Sequence, residues 1–221
     1  MDATRIAELL QPFLAPGDDQ RLTANDLLSI STYIDLLLCW NTRINLTSIR
    51  QPEEIVTRHF GESLFAARHL FPAEADQGRY VRPRSCTVID IGSGAGFPGI
   101  PIKIWAPNIN LTLIESNHKK AIFLREVTRK LTLTNINVFS GRAEEYPVAS
   151  AEVVTLRAVE RFETTLPTAT GLLAPGGCLA LLISEPQLTR TRDLAPTLAW
   201  LPPLAIPLSS SRILAVATRE P

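Results

Sequence analysis

The chain has 221 residues, of which 45% are hydrophobic and 20% are charged, and its formal net charge is zero. This is the composition of an ordinary folded protein with enough apolar residues for a full core, which excludes an intrinsically disordered chain. The neutral charge excludes a protein that is basic over its whole surface, so any binding of nucleic acid must depend on local clusters of positive residues.

The three cysteines indicate a reducing compartment rather than a disulfide framework. Cys39, Cys86 and Cys178 are odd in number, far apart and next to apolar residues, so we expect buried free thiols and no metal site. The first residues do not combine a cationic segment with a long apolar one, and no run of about 18 uncharged apolar residues occurs. We therefore expect a cytoplasmic protein with no membrane partner, and take a monomer as the default.

Helices are predicted for most of the first 70 residues. Apolar spacing predicts one helix over residues 2–14 and a second that begins after Thr23, where Asp26 completes a capping box. We expect Tyr33 and Trp40 of this second helix to be core residues.

A loop and a third helix follow. Residues 41–50 are too rich in Asn, Thr and Ser for a helix, whereas residues 52–70 begin with Pro and two Glu, as helices do. Arg58 and Glu62 lie four residues apart in this helix and are predicted to pair. A solvated pair, worth only ~0.3–0.5 kcal/mol, and a functional one remain equally open.

The composition then changes, which divides the chain into three parts. Residues 71–84 are rich in Pro, Ala, Asp and Arg and read as a linker between a helical segment, 1–70, and a second domain, 85–221. In that domain strands are predicted at 87–91, 111–115, 136–140, 153–158 and 178–184, helices at 98–105, 118–131, 162–173 and 187–194, and a closing strand pair at 204–208 and 213–218. This alternation predicts an α/β fold with a doubly wound, mainly parallel sheet.

The first predicted strand runs into a glycine-rich loop, VIDIGSGAGFPGIP over residues 88–101. Gly92, Gly94 and Gly96 remove the side chains from this turn, so a ligand can approach the bare backbone. The segment from Gly94 to Gly99 also matches the dinucleotide pattern G-x-G-x-x-G, but this match alone is weak. When the pattern is counted from Gly92, which leaves the strand, its third glycine position holds Phe97. A dinucleotide site requires a glycine there, because the helix packs too closely for a side chain.

Two acids at strand ends indicate which cofactor the loop binds. Asp90 lies inside the end of the first strand, where a buried carboxylate needs a cation or several donors. S-adenosylmethionine supplies positive charge, whereas the pyrophosphate of NAD would be repelled. Glu115 ends the second strand and is placed to accept ribose hydroxyls in either kind of site. We therefore predict S-adenosylmethionine.

Three further residues lie at the predicted carboxyl edge of the sheet. Ala143 and Glu144 follow the third strand and either border the adenine or merely begin a helix. Arg157 ends the fourth strand directly after an apolar run, which argues against an ordinary surface arginine.

Positive charge is concentrated in one segment. Residues 117–142 contain seven basic residues, His118 included, against the single acid Glu126, and Arg79, Arg82 and Arg84 add to them in the predicted linker. We expect a basic face suited to a phosphate backbone, although such runs are more often solvated helix faces.

Taken together, these motifs resemble the RsmG (GidB) family of bacterial methyltransferases. The match runs over nearly the whole chain through Trp40-Asn41, Asn45-Leu46-Thr47, Arg50, Arg58-His59, Ser63-Leu64, the glycine loop, Glu115-Ser116, residues 119–124, residues 142–145 and Arg157-Ala158. The resemblance implies a Rossmann-like class I S-adenosylmethionine-dependent methyltransferase sheet preceded by a small helical subdomain. It also implies methylation of N7 of guanine 527 in 16S ribosomal RNA. The implied cofactor contacts are Gly92, Phe97, Ala143, Glu144 and Arg157.

The chain departs from the family pattern at few positions. Glu62 stands where the family usually has Asp, and Ile183-Ser184 replaces a Lys-Gly pair at the end of the fifth strand. The second exchange removes a cation that we expect near the substrate mouth, which bears on RNA binding more than on cofactor binding.

The implied chemistry needs no general acid or base. Guanine N7 is a bare lone pair, so it can attack the sulfonium methyl group directly once the reacting atoms are in line. The guanine must be unstacked to be reached. Candidates for lining its pocket are Arg157, Arg58, His59 and Asn45.

Two other functions remain open. A non-catalytic RNA-binding or ribosome-assembly module that keeps a cofactor pocket is suggested by the missing lysine at position 183. A NAD-dependent oxidoreductase is suggested only by the glycine match from Gly94 to Gly99.

Overall fold

The computed structural model describes residues 1–16, 22–72, 85–147, 151–159 and 162–221. Most of the predicted linker, with its three arginines, therefore lies outside the described residues. None of the described helices is both long enough and apolar enough to span a bilayer.

The N-terminal part is helical. The helices are α1 (Ala3–Leu10), α2 (Ala24–Asn41), α3 (Pro52–Ile55) and α4 (Glu62–Leu70), and a π-helical turn at Val56–Gly61 joins the last two. The predicted capping box is present, since Thr23 Oγ1 accepts from the Asp26 amide at 3.2 Å and the Asp26 carboxylate accepts from the Thr23 amide at 2.9 Å. Tyr33 is fully buried, as predicted, and Trp40 packs edge-on against Phe123.

The rest of the chain is an α/β unit. Its elements are β1 (Thr87–Ile91), α5 (Gly99–Trp105), β2 (Asn110–Glu115), α6 (His118–Lys130), β3 (Ile136–Ser140), β4 (Ala151–Arg157), α7 (Phe162–Gly171), β5 (Leu173–Ser184), α8 (Gln187–Leu194), β6 (Ala199–Trp200), β7 (Leu204–Ala205) and β8 (Arg212–Thr218). The predicted alternation is confirmed. The sequence analysis misses β6, which has only two residues.

One mixed sheet contains the described strands, in the order β3-β2-β1-β4-β5-β8-β6, with β7 also paired to β8. The first five strands are parallel, and β8 runs antiparallel to β5. The beginning of β8 therefore lies beside the carboxyl ends of the parallel strands. Ligands of such sheets bind at this edge.

Each face of the sheet has its own buried core. The larger core joins α1, α2, α4, α5 and α6 to one face, and the smaller core joins α7 to the other. Cys86 and Cys178 are buried, but Cys39 is exposed, so the prediction that it is buried is wrong. It lies on α2 outside the buried stripe that contains Ile34 and Leu37.

Candidate cofactor and acceptor site

A cavity of about 700 Å³ lies at the carboxyl edge of the sheet, between the glycine loop, the end of β2 and the end of β4. This volume suits a ligand of cofactor size. Eight of the predicted site residues line it: His59, Gly92, Gly94, Phe97, Glu115, Ala143, Glu144 and Arg157. Asp90, Gly96, Arg58 and Asn45 are not among its lining residues. Their direct contact with a ligand stays a prediction.

The glycines of the loop differ in what they face. All three have positive φ, +66° at Gly92, +56° at Gly94 and +90° at Gly96, a conformation that disfavours side chains. A Cβ on Gly94 would meet only a backbone oxygen at 3.7 Å, so this stretch of the wall is bare peptide. A Cβ on Gly96 would run into the Tyr33 hydroxyl and Ile100. Gly96 therefore permits close packing of α2 under the loop.

Tyr33 supports the loop from below. Its hydroxyl donates a hydrogen bond to the Ala95 carbonyl oxygen, and its ring stacks on Phe97 with a centroid separation of 5.3 Å. Burial raises the pKa of this hydroxyl well above its usual value, so it remains a donor. The helical segment thus helps to shape the cavity wall.

Asp90 connects three elements beneath the loop. Its carboxylate accepts from Thr155 Oγ1 at 2.7 Å, on β4, and from the Gly99 amide at 3.3 Å, at the start of α5. Ser93 donates to the Asp90 backbone oxygen at 2.9 Å. The side chain is fully buried, and this burial raises the pKa of the carboxyl group to about 6, although its hydrogen bonds and Arg157 act in the opposite direction. The observed role of Asp90 is to hold the loop in place.

Glu115 reaches back from β2 to the same loop. Its carboxylate accepts from the Gly94 amide at 2.8 Å and from the Asn117 amide at 2.7 Å. Each carboxylate oxygen retains a second lone pair, so it can still accept a ligand hydroxyl. Ala143 is buried and Glu144 exposed, and both lie on a 3-10 turn at Ala143–Glu145 on the cavity rim.

The side chain of Arg157 is only 9% exposed, which excludes the surface alternative. Its Nη2 donates to the Arg58 carbonyl oxygen at 2.6 Å, contacts His59 Nδ1 at 3.0 Å and lies 3.3 Å from a Glu62 carboxylate oxygen. Phe97 lies under the guanidinium, 6.0 Å from ring centroid to Cζ. Its Nη1 has no hydrogen-bond partner among the described residues. Buried donors are nearly always hydrogen-bonded, so water or a ligand is expected to supply the partner.

His59 lies between the cavity and the loop at residues 42–51. Its ring stacks on Phe97 at 4.7 Å, and its Nε2 lies 2.8 Å from Thr47 Oγ1. Burial, together with the charges of Arg157, Arg58 and Arg212, lowers its pKa to about 3. The neutral ring accepts from Arg157 at Nδ1, which leaves Nε2 to donate to Thr47.

The predicted pair of Arg58 and Glu62 is present, with Nε and Oε1 3.1 Å apart, and only its arginine is reached by solvent. Glu62 is only 1% exposed, and Arg157 and Arg212 also contact it. The π-helical turn at Val56–Gly61 immediately precedes Glu62, and such turns are frequent at functional sites.

The sequence analysis missed two residues of this region. Arg212 begins β8 and donates from Nε to Glu62 at 2.9 Å. Its signal was similar to that of Arg157, a lone arginine next to an apolar strand, but Arg212 precedes its strand whereas Arg157 ends one. Asn41 is the other, because its side chain bonds the backbone of Leu46 and Thr47 and thereby shapes the loop beside His59. A buried asparagine at a helix end gives a weaker signal.

The exchange at position 183 lies one residue beyond Leu182, the sheet partner of Arg157. Ile183 is buried in the smaller core, whereas Arg157 contacts the helical segment on the other face of the sheet. The two side chains therefore lie on opposite faces of the sheet. The basic residues of α6 are mainly exposed, and Lys120 and Arg142 reach the cavity lining.

Solved structures define the class of fold. TYW2 of Pyrococcus horikoshii, crystallised with MeSAdo, is similar with a TM-score of 0.57 and 16% identity, covering 74% of this chain and 63% of that one. A SAM-dependent methyltransferase from Aquifex aeolicus is similar with a TM-score of 0.52 and 15% identity, covering 60% and 81%. The fold is the Rossmann-like fold of class I methyltransferases.

Sequence comparison defines the family. The family model described as rRNA small subunit methyltransferase G (GidB) matches residues 26–195, and the chain belongs to this family. Proteins named ribosomal RNA small subunit methyltransferase G are 39% identical over 180 residues in Xylella fastidiosa, covering 80% of this chain and 74% of the relative, and 46% identical over 126 residues in Desulforamulus reducens. The latter match spans 57% of this chain and about half, 48%, of the relative.

Proposed function

We propose that the protein transfers a methyl group from S-adenosylmethionine to N7 of guanine 527 in 16S ribosomal RNA. The observation that carries this proposal is the cavity itself, which is lined both by bare glycine backbone and by Arg157, a donor of which has no partner among the described residues. Membership of the rRNA small subunit methyltransferase G family supports the RNA as acceptor.

The residues present fit the cofactor. The bare peptide at Gly94 leaves room for the methionine part, and Glu115 can accept the ribose hydroxyls. Ala143 and Glu144 are placed to border the adenine. When bound, S-adenosylmethionine supplies an electrophilic methyl group on a sulfonium.

The residues around Arg157 then serve the acceptor. A guanine presents O6 next to N7. Nη1 of Arg157, which has no partner in the part of the chain that the structure describes, is a suitable donor for O6, which leaves N7 free to attack. His59 holds the guanidinium from one side and Phe97 from below. Because the pKa of His59 is about 3, the ring stays neutral and positions Arg157 rather than moving a proton. Rate then depends on aligning nitrogen, methyl carbon and sulfur at ~3–3.5 Å without water between them.

The test is transfer of labelled methyl groups to small-subunit RNA, free or in particles, from cells that lack this methylation. We expect label in one guanine, mapped by chemical cleavage at 7-methylguanine. Bound cofactor without transfer to either substrate would contradict the proposal and favour the non-catalytic module. Saturable binding of NAD without binding of S-adenosylmethionine would favour the oxidoreductase.

A further inference from the structure

Three guanidinium groups surround one buried carboxylate beside the cavity. The carboxylate oxygens of Glu62 lie 3.1 Å from Nε of Arg58, 2.9 Å from Nε of Arg212 and 3.3 Å from Nη2 of Arg157. The three arginines come from distant parts of the chain: the π-helical turn, the end of β4 and the start of β8. This group of four residues, the arginine cluster, is built by the fold rather than by local sequence.

The arginine cluster carries more positive than negative charge. Against three arginines stand Glu62 and, on the deeper side of Arg157, Asp90. Burial, and the repulsion of Arg157 by Arg212 and Arg58, lower the pKa of Arg157 to about 10 despite the attraction of Glu62. Uncompensated positive charge in a partly buried site is costly, so we expect an anion to bind the arginine cluster and neutralise the excess.

Several donors of the arginine cluster are available to such an anion. Nη1 of Arg157, which has no partner among the described residues, is kept for the guanine, so the anion depends on the other two arginines. Among the described residues, Arg58 uses Nε alone, and Arg212 uses Nε for Glu62 and Nη2 for the Leu182 carbonyl oxygen. The remaining Nη groups form the kind of fork that binds phosphate oxygens in pairs.

The positions of the three arginines relative to the cofactor cavity indicate which ligand supplies the anion. Arg157 lines the cofactor cavity, but Arg58 and Arg212 do not. The side chains of Arg58 and Arg212 are 46% and 20% exposed, so solvent reaches both although neither lines the cavity. A ligand that contacts both must therefore approach from outside the cofactor cavity.

We propose that Arg58 and Arg212, held in place by Glu62, bind a phosphodiester group of the RNA strand that carries the target guanine. This inference rests on the proposed function and adds a phosphate-binding site to it. The phosphate fixes the nucleotide next to Arg157, so that its base enters the cavity beside the glycine loop. Glu62 acts as a positioning residue because it touches the arginines and not the RNA.

The test compares Arg58→Gln, Arg212→Gln and Arg212→Lys with wild type in filter binding to the small-subunit RNA at several salt concentrations. For each glutamine variant we expect RNA binding at least tenfold weaker and a log–log salt slope less steep by about 0.7–0.9, as for one lost phosphate contact. Arg212→Lys keeps the charge but not the fork, so it should keep the slope and lose part of the affinity. Cofactor affinity, measured by calorimetry, should stay within twofold.

The matched control is Arg190→Gln, which removes an exposed arginine that pairs with Glu163 on the opposite side of the sheet. It should change neither RNA affinity nor slope. Unchanged RNA binding in both cluster variants, with methyl transfer by wild type intact, overturns the phosphate site and leaves the proposed function standing. Equal losses of cofactor and RNA affinity would assign the anion to the cofactor carboxylate and also overturn it. Absence of transfer by wild type would overturn the proposed function, and the phosphate site with it.

Discussion

At the scale of single residues, two neighbouring glycines serve different purposes. Gly96→Ala should lower the free energy of unfolding by ~3 kcal/mol, since the methyl group adds overlap with Tyr33 and Ile100 to the strain of positive φ. Gly94→Ala should cost only ~1–2 kcal/mol from φ alone, because its Cβ has room. That Cβ enters the cavity wall, so cofactor affinity should fall about tenfold by the scale of ~1.4 kcal/mol per decade. Urea unfolding and calorimetry measure the two effects, and equal stability losses would contradict the distinction.

The support of the loop by Tyr33 can be tested by removing its hydroxyl oxygen. Tyr33→Phe keeps the stack on Phe97 but leaves the buried Ala95 carbonyl without its donor, so stability should fall by ~1–2 kcal/mol. Cofactor affinity should fall with it, because Ala95 lines the cavity. Tyr146→Phe is the control, since that half-buried hydroxyl makes one long contact of 3.3 Å with Thr112. A change in Tyr33→Phe no larger than in the control would show that packing alone holds the loop.

At the scale of elements, a buried lysine connects α5 to the loop that precedes β2. Lys103 is 1% exposed, and its ammonium donates to the Pro107 and Ile109 carbonyl oxygens at 2.6 Å each. Lys103→Met keeps the aliphatic volume but removes both donors, so we expect a loss of ~1–3 kcal/mol in urea unfolding. Lys130→Met, at an exposed position of α6, should change stability by less than ~0.5 kcal/mol. If Lys103→Met lost as little stability as Lys130→Met, water would have to replace the ammonium as the donor to the two carbonyl oxygens.

The elements themselves were largely predictable, because their signals are local. The strands at 87–91 and 136–140 and the helix at 187–194 have the predicted bounds. By contrast, β5 begins at Leu173, where a helix end was predicted, because Leu173 pairs with Ala151 on a neighbouring strand. Pairing between distant segments overrides local spacing there.

At the scale of the whole molecule, the difference between local signals and long-range contacts also separates the two halves of the site, which are the cofactor side and the arginine cluster. The cofactor side follows a continuous motif, and most of the residues proposed for it line the cavity. The arginine cluster depends on contacts between residues 150 positions apart, such as Arg212 and Glu62, which no local pattern encodes. Charge spacing predicted the pair of Arg58 and Glu62 but not its burial, because burial results from packing the helical segment on the sheet.

Two buried groups with opposite pKa shifts make the pH dependence of stability a property of the whole molecule. The pKa of Asp90 is raised to about 6, so the folded protein holds this proton more tightly than the unfolded chain, and stability falls as pH rises from about 4 to 6. The pKa of His59 is lowered to about 3, so the unfolded chain holds that proton more tightly, and stability rises with pH from about 3 to 6.5. Between pH 4 and 6 the two slopes, each at most ~1.4 kcal/mol per pH unit, oppose each other.

Substituting either buried group should therefore expose the pH dependence of stability that the other group contributes, because the two contributions oppose each other in wild type. Relative to wild type, Asp90→Asn should gain stability with rising pH between 4 and 6, because the rising contribution of His59 is no longer opposed. His59→Gln should lose stability over the same interval, because the falling contribution of Asp90 remains. Urea unfolding at half-unit steps of pH measures both, with Asp193→Asn, an exposed acid on α8, as the control that should follow wild type. Parallel curves for all four proteins would show that neither buried group carries its shift into the free energy of unfolding.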